Sequence, residues 1–569
     1  MPSHYPPKFF WRFNVPPLIL ILVLLGLVWR LLDLGVINRS FLLKQSAARI
    51  VRTIEIPASR GKIVDRNGSP LAISTPVSAI WVNPKVFEAT PQQLKNLATY
   101  LEISPSYIKE RASKKGRREF MYLKRGISPE LAIEIKNLHI QGIYVQEEYK
   151  RFYPEAEVSA QVIGFTNVDD QGQEGLELAY NRWLQGIPGQ QRVVKDRLGN
   201  VVENLELVRA SQQGHDLQLS IDQRIQYIAY RDLKEAVDQY HAKAGSVVIL
   251  DARTGEILAM VNQPSYNPND RQGVPVDALR NRAVTDQFEP GSIIKPFTIA
   301  LALASGKYTP ESTFDTAPGW MSVGGFTIHD DGHVHGVMNL TQILQKSSNI
   351  GAGKIMLSLT PQDYTQLLRR VGFGAPTHSG FPGEAAGSIN ERPKWYASEI
   401  VASAYGYGLS VTMLQLAQAY SVFAEKGIKR DPSFLKLDKA PEGQQVISAK
   451  VSEEVLSMLH AVTENGGTGT RARIPGYTVA GKTGTAYIAG PKGYDIHHRY
   501  IGSFVGITPV SDPRIVVAVM LIDPQGQHMG AIVSAPVFAK VAGDALRLMN
   551  VKPDDLEHAH DKVENPFLD

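Results

Sequence analysis

Residues 288–298 read FEPGSIIKPFT. Pro290-Gly291 turns the chain. The apolar residues Ile293, Ile294, Phe297, Ile299, Ala300 and Leu301 then continue as a helix, with Pro296 in its first turn, where a missing N–H costs nothing. Ser292 stands at the head of that helix, and Lys295, three residues on, shares its face. Two readings are open. Either Ser292 is an N-cap and Lys295 a surface residue, or Ser292 is a nucleophile with Lys295 as its base. A helix N-terminus supplies positive potential and free backbone N–H groups, which favour an alkoxide and an oxyanion beside it. Burial disfavours the charged form of a lysine, which suits it to take a proton. S-x-x-K alone does not decide between the two.

Two further motifs follow. LTQILQKSSNIGAGK (340–354) carries Ser347-Ser348-Asn349, and YTVAGKTGTAY (477–487) carries Lys482-Thr483-Gly484-Thr485. S-x-x-K, S-x-N and K-T-G, in that order, form the set shared by penicillin-binding proteins and class A β-lactamases. Residues 477–480 read as a strand running into Lys482, and Gly484 is expected to let a substrate backbone approach that strand closely. Asn349 can hydrogen-bond a substrate amide. Ser347 and Lys482 offer a hydroxyl and an ammonium for proton transfer to a leaving amine.

Around these motifs the chain is long and ordinary in composition. It has 569 residues, 43% hydrophobic and 20% charged. At about 150 residues per domain this suggests two to four units. The net charge of +4 and the lack of basic clusters interleaved with aromatics exclude a dedicated nucleic-acid binder. With no cysteine, disulfides, thiolate metal sites and thiol nucleophiles are excluded, but the compartment is left open.

Val15 to Leu34 reads VPPLILILVLLGLVWRLLDL. Twenty residues at about 1.5 Å each span a bilayer core. Arg30 and Asp33, three apart, can pair, and Trp11 and Trp29 stand where interfacial aromatics would. A cleaved signal peptide is the competing reading, but no A-x-A site follows. Basic residues flank the segment on both sides, so charge alone leaves its orientation open. Residues 37–56 read as a helical stalk. Asp65-Arg66-Asn67-Gly68 is a hairpin turn, and residues 77–82, 143–146 and 191–195 read as strands. EEYKRFYPEAE (147–157) reads as a charged surface stretch. From about 220 a short strand and an amphipathic helix with Ile225, Ile228, Ala229 and Leu233 on one face lead into a hairpin, 246–264, turning at Arg253-Thr254-Gly255. Strands recur at 501–509 and 514–523, followed by a helix at 535–549. The expectation is an antiparallel sheet flanked by helices, ending in a polar, disordered tail.

The chain resembles a class B penicillin-binding protein, most like the division-specific peptidoglycan D,D-transpeptidase. The resemblance covers about residues 12–552. It rests on WRF, RGKIVDRNGSPLA, GFTNVDDQGQEGLEL, FEPGSIIKPFT, LQKSSN, AYGYGLSVT, NGGTGTRA, VAGKTGTA and VSAPVFAKV. It implies an α+β fold, with a serine transpeptidase/β-lactamase-like domain after an elongated α/β pedestal and a single N-terminal transmembrane helix. The implied division is a cytoplasmic tail at 1–14, a membrane helix at 15–36, a pedestal or dimerisation-type domain at 37–220, a transpeptidase domain at 221–552 and a tail at 553–569. It implies that Ser292 attacks the penultimate D-Ala carbonyl of a stem pentapeptide, with Lys295 as base and the N–H groups of Ser292 and Thr485 as oxyanion hole. Lys482 and Thr483 would hold the substrate carboxylate, which β-lactams mimic, Tyr407 would line the pocket, and Gly484 and Thr485 would also bind substrate. No cofactor is implied. The implied setting is the inner membrane, with the catalytic domain periplasmic and enriched at the septum. The implied partners are a membrane-embedded lipid II polymerase of the shape, elongation, division and sporulation (SEDS) family and other division proteins.

Relatives often carry an aromatic pair before VSAPVF, where this chain has His528-Met529. No tandem wall-binding modules follow the catalytic region, which points to a bacterium with two membranes. Residues 37–220 have no room for a glycosyltransferase domain. Elongation-specific transpeptidase, β-lactamase or carboxypeptidase, and non-catalytic penicilloyl sensor or scaffold are the competing functions. Three other stretches have plainer readings. HDDGHVHG (329–336) is a loop before the Ser347 helix, with zinc binding by His329, Asp330, Asp331, His333 and His335 as the alternative. NGGTGT (465–470) is a tight turn lacking the G-K-[ST] of a phosphate loop. DIHHRY (495–500) is a loop beside the Lys482 strand.

Overall fold

The computed structural model describes residues 10–113, 119–196, 201–330, 333–490, 493–494 and 499–558. The chain forms two compact units interleaved in sequence. One comprises Met1–Ser59, Pro76–Tyr149 and Gly186–Gln213, and the other Arg60–Thr75, Lys150–Gln185 and Gly214–Asp569.

The first unit begins with the helix Phe10–Leu32, which continues through a π-turn at Asp33–Ile37. Asn14–Ile37 is long and apolar enough to cross a membrane. Arg30 and Asp33 pair at 2.6 Å, as their spacing predicts. The helix Arg39–Ile50 and strand Val51–Ile56 share the stretch expected to be a stalk. That strand pairs antiparallel with Gly189–Lys195, which pairs with Val201–Arg209. A separate core gathers Ile80, Val82, Leu97, Leu101, Ile108, Met121 and Ile135. Its helices start where local chemistry dictates. Thr90 and Gln93 form a capping box ahead of Pro91, and Ser128 caps Leu131 N ahead of Pro129.

The second unit is built on five antiparallel strands: β1 (Ala244–Asp251), β2 (Ile257–Gln263), β3 (Ala480–Tyr487), β4 (Tyr500–Thr508) and β5 (Ile515–Ile522). Their order is β2-β1-β5-β4-β3, which leaves β3 as an outer strand. The strands are apolar on both faces because both faces are covered. Val247, Ile249, Val517, Val519 and Leu521 point into one core, while Val248, Leu250, Val516, Ala518 and Met520 point into the other. Six helices matter for the site: α1 (Gln223–Gln239), α2 (Lys295–Ala304), α3 (Asn349–Leu357), α4 (Met413–Ala424), α5 (Ala449–Thr463) and α6 (Ala535–Leu548). Ile225, Ala229 and Leu233 of α1 and Phe538, Val541 and Leu546 of α6 close the first core. Phe297 of α2, Ile355 of α3, Tyr420 of α4 and Leu459 of α5 lie in the second. The hairpin, the later strand pair and both amphipathic helices stand where the sequence pattern puts them.

Three expectations need correction. The strand expected from Tyr477 starts at Ala480; Tyr477 makes only an isolated bridge to Ile474. The EEYKRFYPEAE stretch is not uniformly surface. Arg151 and Arg60 bond opposite oxygens of Glu177, each at 2.6 Å, and all three side chains are buried. Arg60 also donates to Asn181 Oδ1 and to the carbonyls of Glu177 and Asp170, so its charge, withdrawn from water, retains hydrogen-bond partners. A surface reading from charge content alone misses such an internal pair. Finally, the polar tail is held at its start. Asp554 accepts from Thr478 N at 2.8 Å and from the hydroxyls of Thr478 and Ser511. Residues 559–569, and most of the DIHHRY loop, lie outside the described residues.

Candidate active site

Ser292 lies in a 3-10 turn, Gly291–Ile294, that feeds α2. Gly291 takes φ +60°, and a Cβ there would stand 3.1 Å from Thr485 O and 3.2 Å from Ala486 Cβ. The turn is therefore pressed against β3, a fit that only glycine allows without displacement. Gly291 N donates to Gly406 O at 3.2 Å. Below the turn, the fully buried Tyr420 donates its hydroxyl to Ile293 O at 2.7 Å. The N-cap reading fails, because α2 has no side-chain cap and Lys295 is fully buried.

Lys295 Nζ donates to Ser292 Oγ at 3.0 Å, Ser347 Oγ at 3.2 Å and Asn349 Oδ1 at 2.8 Å, and it also reaches Ser347 O. From the other side Lys482 Nζ, likewise fully buried, donates to Ser347 Oγ at 3.0 Å. One hydroxyl thus bridges two lysines. The bridge depends on Ser347 holding φ +57° between the helix Leu340–Gln345 and α3. A non-glycine residue in that region is strained by about 1 kcal/mol or more and persists only where its surroundings enforce it.

Asp330 does much of that enforcing. Its carboxylate, 4% exposed, accepts from Asn349 N at 2.6 Å and Ile350 N at 3.0 Å through Oδ1, and from Ser348 Oγ at 2.6 Å through Oδ2. It satisfies the open N–H groups of α3 and complements the helix dipole. Asn349 Nδ2 donates to His329 O at 3.0 Å, which fixes the amide's orientation. The loop reading of 329–336 needs one correction, because His329 ends the strand Phe326–His329 and pairs with Trp320; Asp330 and residues 333–336 are loop, and Asp331 and Gly332 lie outside the described residues. Asp330 itself is committed to α3.

Along β3, Thr483 Oγ1 donates to Thr468 Oγ1 at 3.1 Å, and Thr485 Oγ1 accepts from Gly530 N at 3.2 Å. Gly484 is tight for a reason other than the expected one. A Cβ there would stand 2.4 Å from Ser503 Oγ, 2.9 Å from Ile293 Cγ2 and 3.3 Å from Pro290 O, so its missing side chain makes room for the nucleophile's turn. Tyr407 stacks edge-on against Tyr405 with ring centroids 5.6 Å apart. Burial, more than the nearby Glu289 carboxylate, pushes its phenol up to about 12. His528 lies flat on Tyr500, centroids 3.9 Å apart.

Ser292, Lys295, Ser347, Asn349 and Lys482 therefore converge on one hydrogen-bonded cluster, with Thr483, Gly484 and Thr485 on the adjoining strand. Three residues were missed. NGGTGT is a turn as expected, but its Thr468 touches Thr483, a contact signalled only by the stretch's place in the family resemblance. Asp330 and Tyr420 carried no local signal that tied them to the serine.

The chain is similar to known proteins. The family described as the penicillin binding protein transpeptidase domain matches residues 245–543, and the penicillin-binding protein dimerisation domain matches 55–219. The chain is 41% identical to the probable peptidoglycan D,D-transpeptidase PbpC of Pseudomonas aeruginosa over 96% of this chain and 97% of that one. It is also 41% identical to the peptidoglycan D,D-transpeptidase FtsI of Escherichia coli, over 96% and 93%. Among solved structures, penicillin binding protein 3 of Mycobacterium tuberculosis complexed with aztreonam aligns with a TM-score of 0.68 at 28% identity, over 88% of this chain and 98% of that one. The fold and the serine–lysine cluster define an active-site serine protein of the transpeptidase type. The chain belongs to the class B penicillin-binding proteins, with their dimerisation and transpeptidase domains.

Proposed function

We propose that this chain is a peptidoglycan D,D-transpeptidase that crosslinks stem peptides through an acyl-enzyme on Ser292 and is acylated by β-lactams at the same atom. The observation that carries this reading is the 3.0 Å contact between Lys295 Nζ and Ser292 Oγ, continued through Ser347 to Lys482.

With Lys295 deprotonated, the same contact lets Ser292 Oγ–H donate to Nζ. Oγ then attacks the penultimate D-Ala carbonyl, and the proton passes to Lys295. The N–H groups of Ser292 and Thr485 hold the oxyanion, each worth about 3 kcal/mol of barrier in comparable sites. As the C–N bond breaks, Ser347 passes its proton to the leaving D-Ala amine and regains one from the lysine pair. A neighbouring stem amine then attacks the ester, forming the crosslink and restoring Ser292. Lys482 and Thr483 hold the donor's terminal carboxylate, Asn349 its amide, and Tyr407 lines the pocket.

Residues 221–552 act as the catalytic domain and 37–220 as the pedestal. The helix within 15–36 crosses the cytoplasmic membrane once, with the tail 1–14 inside and the catalytic domain outside, at the division septum. A lipid II polymerase of the SEDS family and other division proteins are the proposed partners. The division role draws support from the likeness to FtsI.

The test is covalent labelling with a fluorescent penicillin followed over time. A stable label that needs Ser292 is expected; rapid loss of label would make the protein a hydrolase, and no label on folded protein would make it a scaffold. A tagged copy should form a midcell band, and a sidewall pattern would indicate elongation.

A further inference from the structure

The stretch Lys346-Ser347-Ser348-Asn349 gives three residues to the site. Ser347 bridges the two lysines, Ser348 bonds Asp330, and Asn349 accepts from Lys295. Lys346 has no part in that cluster. It is exposed, yet its Nζ donates to Gly466 O at 2.7 Å, 120 residues away. Gln345 reaches the same segment. Its amide donates to Ala461 O at 3.2 Å and to Asn465 O at 3.3 Å, and its carbonyl accepts from Thr468 N at 3.2 Å. Both residues directly before Ser347 therefore grip the end of α5 and the turn 464–469 that follows it.

The other side of that turn touches β3. Thr468 Oγ1 accepts from Thr483 Oγ1 at 3.1 Å. The turn is closed on itself by Gly467 N to Glu464 O at 2.8 Å and Gly469 N to Val462 O at 2.9 Å, and Arg473 Nε donates to Thr463 O at 2.8 Å. A short, closed piece of chain thus joins the S-x-N segment to the K-T-G strand outside the lysine cluster. Ser347, at φ +57°, is held from both directions. Asp330 fixes the helix after it, and the turn fixes the two residues before it. A strained residue persists only where its neighbours are tied down in this way.

We propose that Lys346 is a positioning residue for the acyl-transfer reaction. Its bond to Gly466 O holds the turn so that Thr468 stays against Thr483 while Ser347 stays between the two lysines. The strand that receives the substrate carboxylate and the hydroxyl that serves the leaving amine are thereby kept in one register. The inference rests on the proposed transpeptidase reading and adds to it a residue that touches no reacting atom. An ammonium on a carbonyl is a charge-assisted bond that a neutral side chain of similar length does not replace.

The test compares a penicillin with its carboxamide, identical except for the carboxylate, as acylating agents of the full-length protein. The wild type is expected to prefer the carboxylate form. Lys346→Met should reduce that preference about fivefold, the scale of one charge-assisted hydrogen bond near solvent. Lys346→Arg, which can still donate to the carbonyl, should keep most of it. Each preference is a ratio within one protein, so a general loss of folded enzyme cancels. A ratio unchanged in Lys346→Met, or lost equally in Lys346→Arg, would overturn the positioning role. So would a difference between wild type and Lys346→Met that vanishes in about 1 M salt, because screening removes long-range attraction of the carboxylate and leaves a positioned turn in place. Equal use of the two agents by the wild type, or no Ser292-dependent labelling, would instead strike at the acyl-transfer reading itself.

Discussion

Asp330 accepts the hydroxyl of Ser348 at 2.6 Å, and the two residues are eighteen apart in sequence. Through that contact and two backbone bonds, a buried carboxylate holds the start of the helix that carries Asn349, directly after the strained Ser347. Removing it leaves two N–H groups and a hydroxyl without their acceptor, each costing about 1–3 kcal/mol if not rehydrated. Asp330→Ala is expected to lower the thermal midpoint and slow penicillin acylation at least about tenfold. Asp330→Asn, which keeps one oxygen, should fall between. Labelling rates and melting curves measured on the same preparations check this; unchanged labelling in a folded Asp330→Ala protein would remove Asp330 from the positioning of the S-x-N segment.

Gly484 is constrained by protein on one side. Gly484→Ala would push its methyl against Ser503 Oγ and Ile293 Cγ2, and overpacking of this kind costs about 1–3 kcal/mol. Relief by moving Ile293 would shift the Ser292 turn. The substitution is thus expected to cost more in acylation rate than in stability. Adding Ser503→Gly should recover only part of the loss, because Ile293 remains. Full recovery in the double variant would show that the clash with Ser503 alone matters.

How much of this was legible beforehand depended on distance in sequence. The β1–β2 hairpin, the β4–β5 pair and helices α1 and α6 follow from local apolar periodicity, which the two cores then use face by face. Ser292 and Lys295 are three apart, so helical spacing alone joins them. The link from Ser347 to Lys482 was legible only because three weak motifs occur together in one order. Asp330 and Tyr420 were not legible. Asp330 meets the site through three hydrogen bonds eighteen to twenty residues away and Tyr420 through one 127 residues away, and nothing in local pattern distinguishes a loop aspartate that caps a distant helix from one facing water. The Arg60–Glu177–Arg151 cluster failed for a related reason: charged residues are read as surface until a partner is seen.

Tyr420 tests whether the turn needs its anchor. Tyr420→Phe removes the hydroxyl that Ile293 O accepts while keeping the ring packed against Phe297 and Phe423. A buried carbonyl left without its donor should cost about 1–3 kcal/mol. The expected signature is a lower melting point with acylation slowed a few-fold. A variant as stable as wild type would mean that another donor replaces the hydroxyl.

Acid stability should report on Asp554. Desolvation, the largest single influence, raises its carboxyl, but hydrogen bonds from Thr478 and Ser511 outweigh it and hold the group below its ordinary value of 3.8. The unfolded chain therefore takes up this proton before the folded one does. The contribution of Asp554 is complete above the ordinary value and drains away as pH falls through the lowered folded value. Asp554→Asn is expected to lower stability at pH 7 and to narrow its deficit against wild type as the medium is acidified below about pH 4. Denaturant unfolding at pH 7, 5, 4 and 3 measures that difference directly. A deficit that stays constant across the series would mean that Asp554 acts through packing and not through its charge.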